Sequence, residues 1–319
     1  MSHDLKAAEH REIYLTDREM WRYTQQFLMH SKHSASYKFV LMKAILECLP
    51  EISKDGHVTF LEINKHVTKI YWNLVITNKL LQSPSTQKPS GVEQVLKKFQ
   101  EENNIPDTWN FDHLPEEQKN DLIKKVNSRF KINVFGSLYG SFDGTIYSFN
   151  LKEEWIQLAS PYIEFFARYK TIIMNVTNYQ MAVYLEKFNS KEAMENILTK
   201  IEFVSARESL KEFQSILLSY GAAECFYCKK PVRKTHVDHF IPWSYVQNDV
   251  LWNFVLACPT CNTSKNNKIA HPRYLDSLIE RNNSMVHEQM ESYDVNKLTN
   301  MYEYAIQNGF QDGWEPPKK

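Results

Sequence analysis

Apolar residues recur at helical spacing over most of the chain. Over 37–49, Phe39, Val40, Leu41, Ala44, Ile45 and Leu49 share one helix face, and Pro50 ends the pattern. The Asp55-Gly56 turn leads to a strand-like stretch over 57–60. A second amphipathic helix over 61–72 carries Ile63, Val67, Ile70 and Tyr71. The polar run over 82–91 predicts an exposed loop or a helix break. Helices are predicted over 92–99 and 115–130. Residues 131–149 alternate apolar and polar positions around Asp143-Gly144, the pattern of a hairpin. Helix, helix, helix, hairpin is the order of a winged helix; an α-rich scaffold whose hairpin caps a core fits the same pattern. A long helical region follows over 153–188, with Pro161 as an interruption, and another over 206–220 that Gly221 stops. Beyond Pro272, Leu275, Leu278 and Ile279, and then Leu298, Met301, Tyr302 and Ala305, mark two more amphipathic helices, and the tail from Trp314 reads as loose. No internal repeat is visible.

At 319 residues the chain exceeds the usual single-domain size, and a hydrophobic fraction of 43% is enough to bury real cores. The 38 basic and 38 acidic residues balance, which removes global electrostatics as an argument for a polyanionic partner and leaves local patches open. No apolar run approaches the roughly 18 residues of a membrane span. The first residues lack the apolar segment of a signal peptide, so a cytoplasmic protein without membrane contact is expected.

Cysteine usage changes the picture. Cys225/Cys228 and Cys258/Cys261 form two Cys-x-x-Cys pairs, and Cys48 stands alone in an apolar stretch. In a reducing compartment such pairs are metal ligands more often than disulfides. The 29 residues between them exceed the linker of a compact zinc ribbon. Four thiolates closing one tetrahedral zinc leave no open position, so the ion would staple an inserted structure, and catalytic residues belong inside the insertion.

That insertion contains Thr235-His236-Val237-Asp238-His239-Phe240-Ile241-Pro242 and then Asn253, and Asn262 follows Cys261 directly. A DH-x-x-P block, a central Asn and a C-x-x-C-N-x-x-K block resemble the HNH endonucleases, whose core is a ββα-metal (His-Me) finger. The likeness spans some 44 of the 319 residues, 225–268. Phosphodiester hydrolysis needs an activated water and a cation to neutralise charge. An imidazole can take a proton near neutral pH, which suits His239 as base, and Asp238 offers a hard oxygen to Mg²⁺ or Mn²⁺. Asn262 offers an amide oxygen as second metal ligand, in place of the third His of the family name, and can also cap the following helix. The resemblance implies that Asn253 is structural, tying the loop between two strands without touching the metal, and that cleavage leaves 5′-phosphate ends.

His236 lies two residues before Asp238, on the same face of an extended segment, and could contact phosphate or the groups surrounding the metal's ligands. Arg233, Lys234, Lys265 and Lys268 are further candidates for backbone phosphates. Seven basic against three acidic residues over 221–273 make a local +4. The expected fold is α+β: a mostly α-helical recognition or regulatory region over 1–205, a zinc-stapled HNH finger over 206–275 and a helical extension over 276–319. The expected function is metal-dependent DNA cleavage, in restriction or phage defence, acting as a homodimer or with a partner protein of a defence system. The alternative is a zinc-stapled nucleic-acid-binding or interaction module without catalysis.

Overall fold

The computed structural model describes residues 5–11, 14–53, 55–84, 89–202, 210–221, 223–287, 290 and 293–317. The chain divides into two compact units, Met1–Val204 and Ser205–Lys319. The fold is mixed α+β and rich in helix, with a four-stranded and a two-stranded sheet among the described residues. No helix there is long and apolar enough to cross a membrane.

In the first unit, the helices are α1 (Asp17–His30), α2 (Tyr37–Cys48), α3 (Phe60–Trp72), α4 (Gly91–Glu102), α5 (Glu116–Phe130), α6 (Val134–Ser141), α7 (Ser160–Glu186) and the short α8 (Lys191–Met194) and α9 (Ile197–Glu202). Its strands are β1 (Ala7–Ala8), β2 (His57–Thr59), β3 (Tyr147–Asn150) and β4 (Trp155–Leu158), in the order β1-β3-β4-β2 and all antiparallel. Helices α1, α3 and α4 each begin with a reciprocal cap, Thr16/Glu19, Thr59/Glu62 and Ser90/Glu93, which satisfies two orphan amides at each start. Helix α2 is buried along nearly its whole length. Its central Lys43, 2% exposed, donates to Asn178 Oδ1 at 2.6 Å and Ile201 O at 2.9 Å. A buried ammonium needs such partners, and these bring α7 and α9 to one point. Phe60 and Phe135 stack with centroids 3.9 Å apart at the heart of the core.

Strand β2 pairs antiparallel with β4, the far arm of a later hairpin, and β1 adds a fourth strand beside β3. Gly56 leads into β2 at φ +85°. A Cβ there would lie 2.2 Å from Leu158 O, so the turn excludes a side chain.

Four local expectations need correction. The hairpin is not near 131–149: Val134, Phe135, Leu138 and Phe142 are core residues at helical spacing, with α6 spanning Val134–Ser141. Asp143 and Gly144 do adopt the positive φ their types favour, at 51° and 74°, but the turn joins α6 to β3. The real hairpin is β3–β4, closed where Asn150 Oδ1 accepts from the amides of Lys152 and Glu153. Residues 155–158 are accordingly strand rather than helix, and Pro161, instead of breaking α7, sits in its first turn, where a missing N–H costs nothing. The polar run after residue 81 starts as packed chain, since Gln82 is buried and accepts from Ser36 Oγ at 2.7 Å. Residues 85–88 of that run lie outside the described residues, as do 206–209 of the helix predicted over 206–220.

The second unit has α10 (Lys211–Ser219), β5 (His236–His239), α11 (Trp243–Val246), β6 (Phe254–Ala257), α12 (Pro259–Lys265), α13 (Pro272–Ser284) and α14 (Val295–Gln307). Phe213, Phe240, Phe254, Leu278, Leu298 and Tyr302 belong to one core, so α13 and α14 pack with the finger. The tail is not loose at Trp314. Its amide donates to Ile269 O at 3.0 Å, its carbonyl accepts from His271 N–H at 2.9 Å, and its indole donates to Ser264 Oγ at 3.1 Å.

His33 stacks on Phe39 with centroids 4.1 Å apart, and desolvation, aided by Lys38 and Lys187, holds its pKa down to about 4. The unfolded chain takes a proton near pH 6.5 that the folded protein refuses, so stability is lost as pH falls from about 6.5 towards 4. His33→Phe keeps the ring stack and should remove part of this loss; urea midpoints across that range compare the two proteins.

Candidate active site and metal centre

Strands β5 and β6 pair antiparallel, with Asp238 opposite Val255 and His239 opposite Phe254. Cys225 and Cys228 lie in a turn ahead of β5 that closes through Cys225 N–H to Lys230 O (2.9 Å) and Lys229 N–H to Cys225 O (2.8 Å). Phe226 N–H donates to Leu256 O at 2.8 Å and docks this turn on β6. Cys258 caps α12, its Sγ accepting from Cys261 N–H at 3.4 Å. The four ligand atoms lie within 4.8 Å of one another, with Cys228 and Cys258 sulfurs 4.0 Å apart. Tetrahedral zinc with bonds of about 2.3 Å spaces its sulfurs about 3.8 Å apart, so the cluster suits zinc with little movement. Desolvation pushes the Cys225 and Cys261 thiols up. Desolvation also acts on Cys258, but the Cys261 N–H and the neighbouring thiols outweigh it, and its pKa falls. Four thiolates this close require a cation among them.

Between β5 and α12 lies a buried polar centre. Asp238 Oδ2 accepts from Tyr227 OH at 2.6 Å and pairs with Lys265 Nζ at 3.1 Å. Lys265, 0% exposed, also donates to His239 O at 2.7 Å. Desolvation lowers the Lys265 pKa against the pull of Asp238, and burial drives the Tyr227 phenol well above its ordinary range, with Asp238 adding to the effect. Lys265 is therefore not the surface cation expected from the sequence. Its charge is spent inside, where an ammonium is stable only with such partners.

His239 points elsewhere. Its Nε2 lies 2.8 Å from Asp249 Oδ1, and its ring leans edge-on against Phe254, centroids 4.6 Å apart. With Nε2–H donating to the carboxylate, Nδ1 is left as the proton acceptor. Asn253 is fully buried. Its Oδ1 accepts from Ile241 N–H at 2.9 Å and its Nδ2 donates to Ile241 O at 3.0 Å, while its own carbonyl accepts from Phe240 N–H at 2.8 Å. These bonds lock the chain immediately after His239. Asn262 Nδ2 lies 3.3 Å from His236 Nδ1, which brings these two side chains together, while Asp238, on the same face of β5 by alternation, is bonded to Tyr227 and Lys265. An imidazole nitrogen, a carboxylate and an amide oxygen form a donor set that suits a divalent cation. Arg233 and Lys234 are exposed, and Lys268 is half-buried.

The family model described as HNH endonuclease matches residues 225–268. This finger is an HNH domain. No curated protein and no solved structure matches the chain.

In the HNH domain, Asp249 and Tyr227 are partners that sequence reasoning missed. Asp249 lies in a loop ten residues beyond His239, and no periodicity links the two. Tyr227 sits between the first two cysteines, where an aromatic residue carries no signal of its own. Trp314 packs edge-on against Tyr227 at 5.0 Å, so the tail supports the phenol that holds Asp238. Arg281 of α13 donates to Phe254 O at 2.7 Å and fixes the start of β6.

Cys258→Ser should remove one zinc per chain and unfold the second unit, because a structural zinc site contributes on the order of 10 kcal/mol; metal analysis and circular dichroism check both effects. Lys265→Met should leave Asp238 buried without its counter-charge and destabilise the unit by about 3–5 kcal/mol in urea unfolding.

Proposed function

We propose that the HNH domain hydrolyses phosphodiester bonds of DNA, with His239 taking the proton from the attacking water. The pairing of His239 Nε2 with Asp249 at 2.8 Å carries this reading, since a carboxylate that orients the imidazole and balances the charge it acquires is what a general base requires. Asn253 acts through Ile241 to keep His239 at the strand end. Asp238 and Asn262, with His236 beside Asn262, are the residues that would hold Mg²⁺ or Mn²⁺. Such an ion, when bound, neutralises charge on the phosphate and the departing oxygen. Arg233, Lys234 and Lys268 offer positive charge to the DNA backbone. Residues 1–205 would supply target recognition or an activation switch, and residues 276–319 buttress the finger through α13. The choice of DNA, the cytoplasmic setting and a role in restriction or phage defence, as a homodimer or with a partner protein, rest on the family resemblance.

The Lys265–Asp238 ion pair favours a second reading. A carboxylate already paired with a buried ammonium is a weaker donor to a cation, as a zinc-stapled binding module without catalysis would allow.

Incubation of purified protein with supercoiled plasmid and Mg²⁺ or Mn²⁺, beside His239→Ala, separates the two. Metal-dependent nicking or linearisation should fall at least about 100-fold in the variant, with zinc content and circular dichroism unchanged. Cutting that survives in His239→Ala removes His239 as base, and plasmid binding without cutting favours the second reading.

A further inference from the structure

The first unit contains a second gathering of metal-ligating side chains, in which nothing above assigns a role. Cys48 ends α2, Glu51 follows in the 3-10 turn Leu49–Glu51, and His66 faces them from α3. Their ligand atoms lie within 4.8 Å of one another. His66 Nε2 is 3.8 Å from Glu51 Oε1, while Nδ1 is 3.0 Å from Glu47 Oε2. The two ring nitrogens thus have different duties. Glu47 Oε2 accepts from Nδ1–H, so that loss of the Nε2 proton to solvent on metal binding leaves Nε2 a lone pair facing Glu51 and Cys48. A carboxylate behind the ring of a ligating histidine is the usual outer support of a protein metal site. Cys48 is 1% exposed, whereas His66, Glu47 and Glu51 are each about one quarter exposed or less at the side chain. The thiol is therefore the most buried of the ligands, and the carboxylates and ring keep partial access to solvent.

We infer that Cys48, Glu51 and His66 form a three-ligand, zinc-class metal site, oriented by Glu47. Donor chemistry selects the ion. One thiolate, one imidazole and one carboxylate suit Zn²⁺, or Co²⁺ in its place, and disfavour Mg²⁺ and Ca²⁺, which seek oxygen alone. Bonds of about 2.0–2.1 Å to nitrogen and oxygen at a tetrahedral angle put those donors about 3.3 Å apart. The observed 3.8 Å needs a shift of half an ångström, which a carboxylate on a short turn can make. The lysines Lys43 and Lys170 act electrostatically on Glu47 and oppose a weakly held cation. The thiolate formed when the Cys48 proton leaves to solvent supplies the compensating negative charge.

This site lies outside the HNH domain, so its test does not depend on cleavage. Full-length protein is loaded with Zn²⁺, freed of excess and analysed for metal. The expected content is two tightly held zinc ions per chain. Cys48→Ser and Glu51→Gln should each lower it by one with circular dichroism unchanged. Glu47→Gln should keep the ligands but weaken retention about 10–100-fold in chelator competition. With Co²⁺ in place of zinc, the Cys48→Ser variant should lose part of the thiolate-to-metal absorption, while the remainder reports the four-cysteine cluster. One zinc per chain in the unmodified protein, or a content and Co²⁺ spectrum that Cys48→Ser leaves unchanged, overturns the inference.

Discussion

A single buried ammonium organises the HNH domain. Lys265 has no access to solvent, and its partners are the Asp238 carboxylate and the His239 carbonyl, two consecutive residues at the end of β5. Burial of a charge is tolerable only where such partners meet it, so α12 must lie across β5 in one register. That register brings Asn262, one turn earlier on α12, against His236. Tyr227 completes the cage around Asp238, and Trp314 in turn backs Tyr227. A residue nearly fifty positions after Lys265 thereby supports the same carboxylate.

Two supports act on different parts of this arrangement. The four-cysteine cluster joins the turn before β5 to the start of α12, and so determines where the finger begins and ends. Asn253 and Arg281 act between those points. Asn253 fixes the chain after His239, and Arg281 holds the carbonyl of Phe254, the residue opposite His239. The helices after the finger are thus part of its construction: α13 contributes a guanidinium whose pKa burial lowers to about 10, bonded to the edge of the sheet.

The finger was legible because its chemistry is local. Two Cys-x-x-Cys pairs, the Asp238-His239 block and Asn253 follow one another within a short stretch. What escaped depends on tertiary neighbours. Lys265 reads as a surface cation until Asp238 is placed beneath it, and Asp249 meets His239 only through the path of a loop. Glu47, Cys48 and His66 come together because α2 and α3 are adjacent, which no spacing reveals. Asp143-Gly144 shows the complementary limit: the dipeptide adopts the backbone its types favour, but the residues on either side decide whether it joins two strands or a helix to a strand. Helix α1 had a readable start in Thr16 and Glu19, a reciprocal cap that hydrophobic spacing alone passes over.

The internal use of Lys265 also has a thermodynamic consequence. A cation committed to the fold cannot displace counterions from a polyanion, and each neutralised phosphate steepens log affinity against log salt by about 0.9. Were the finger to hold a nucleic acid as proposed, its affinity would be shallower in salt, by about one such increment, than its count of basic residues suggests.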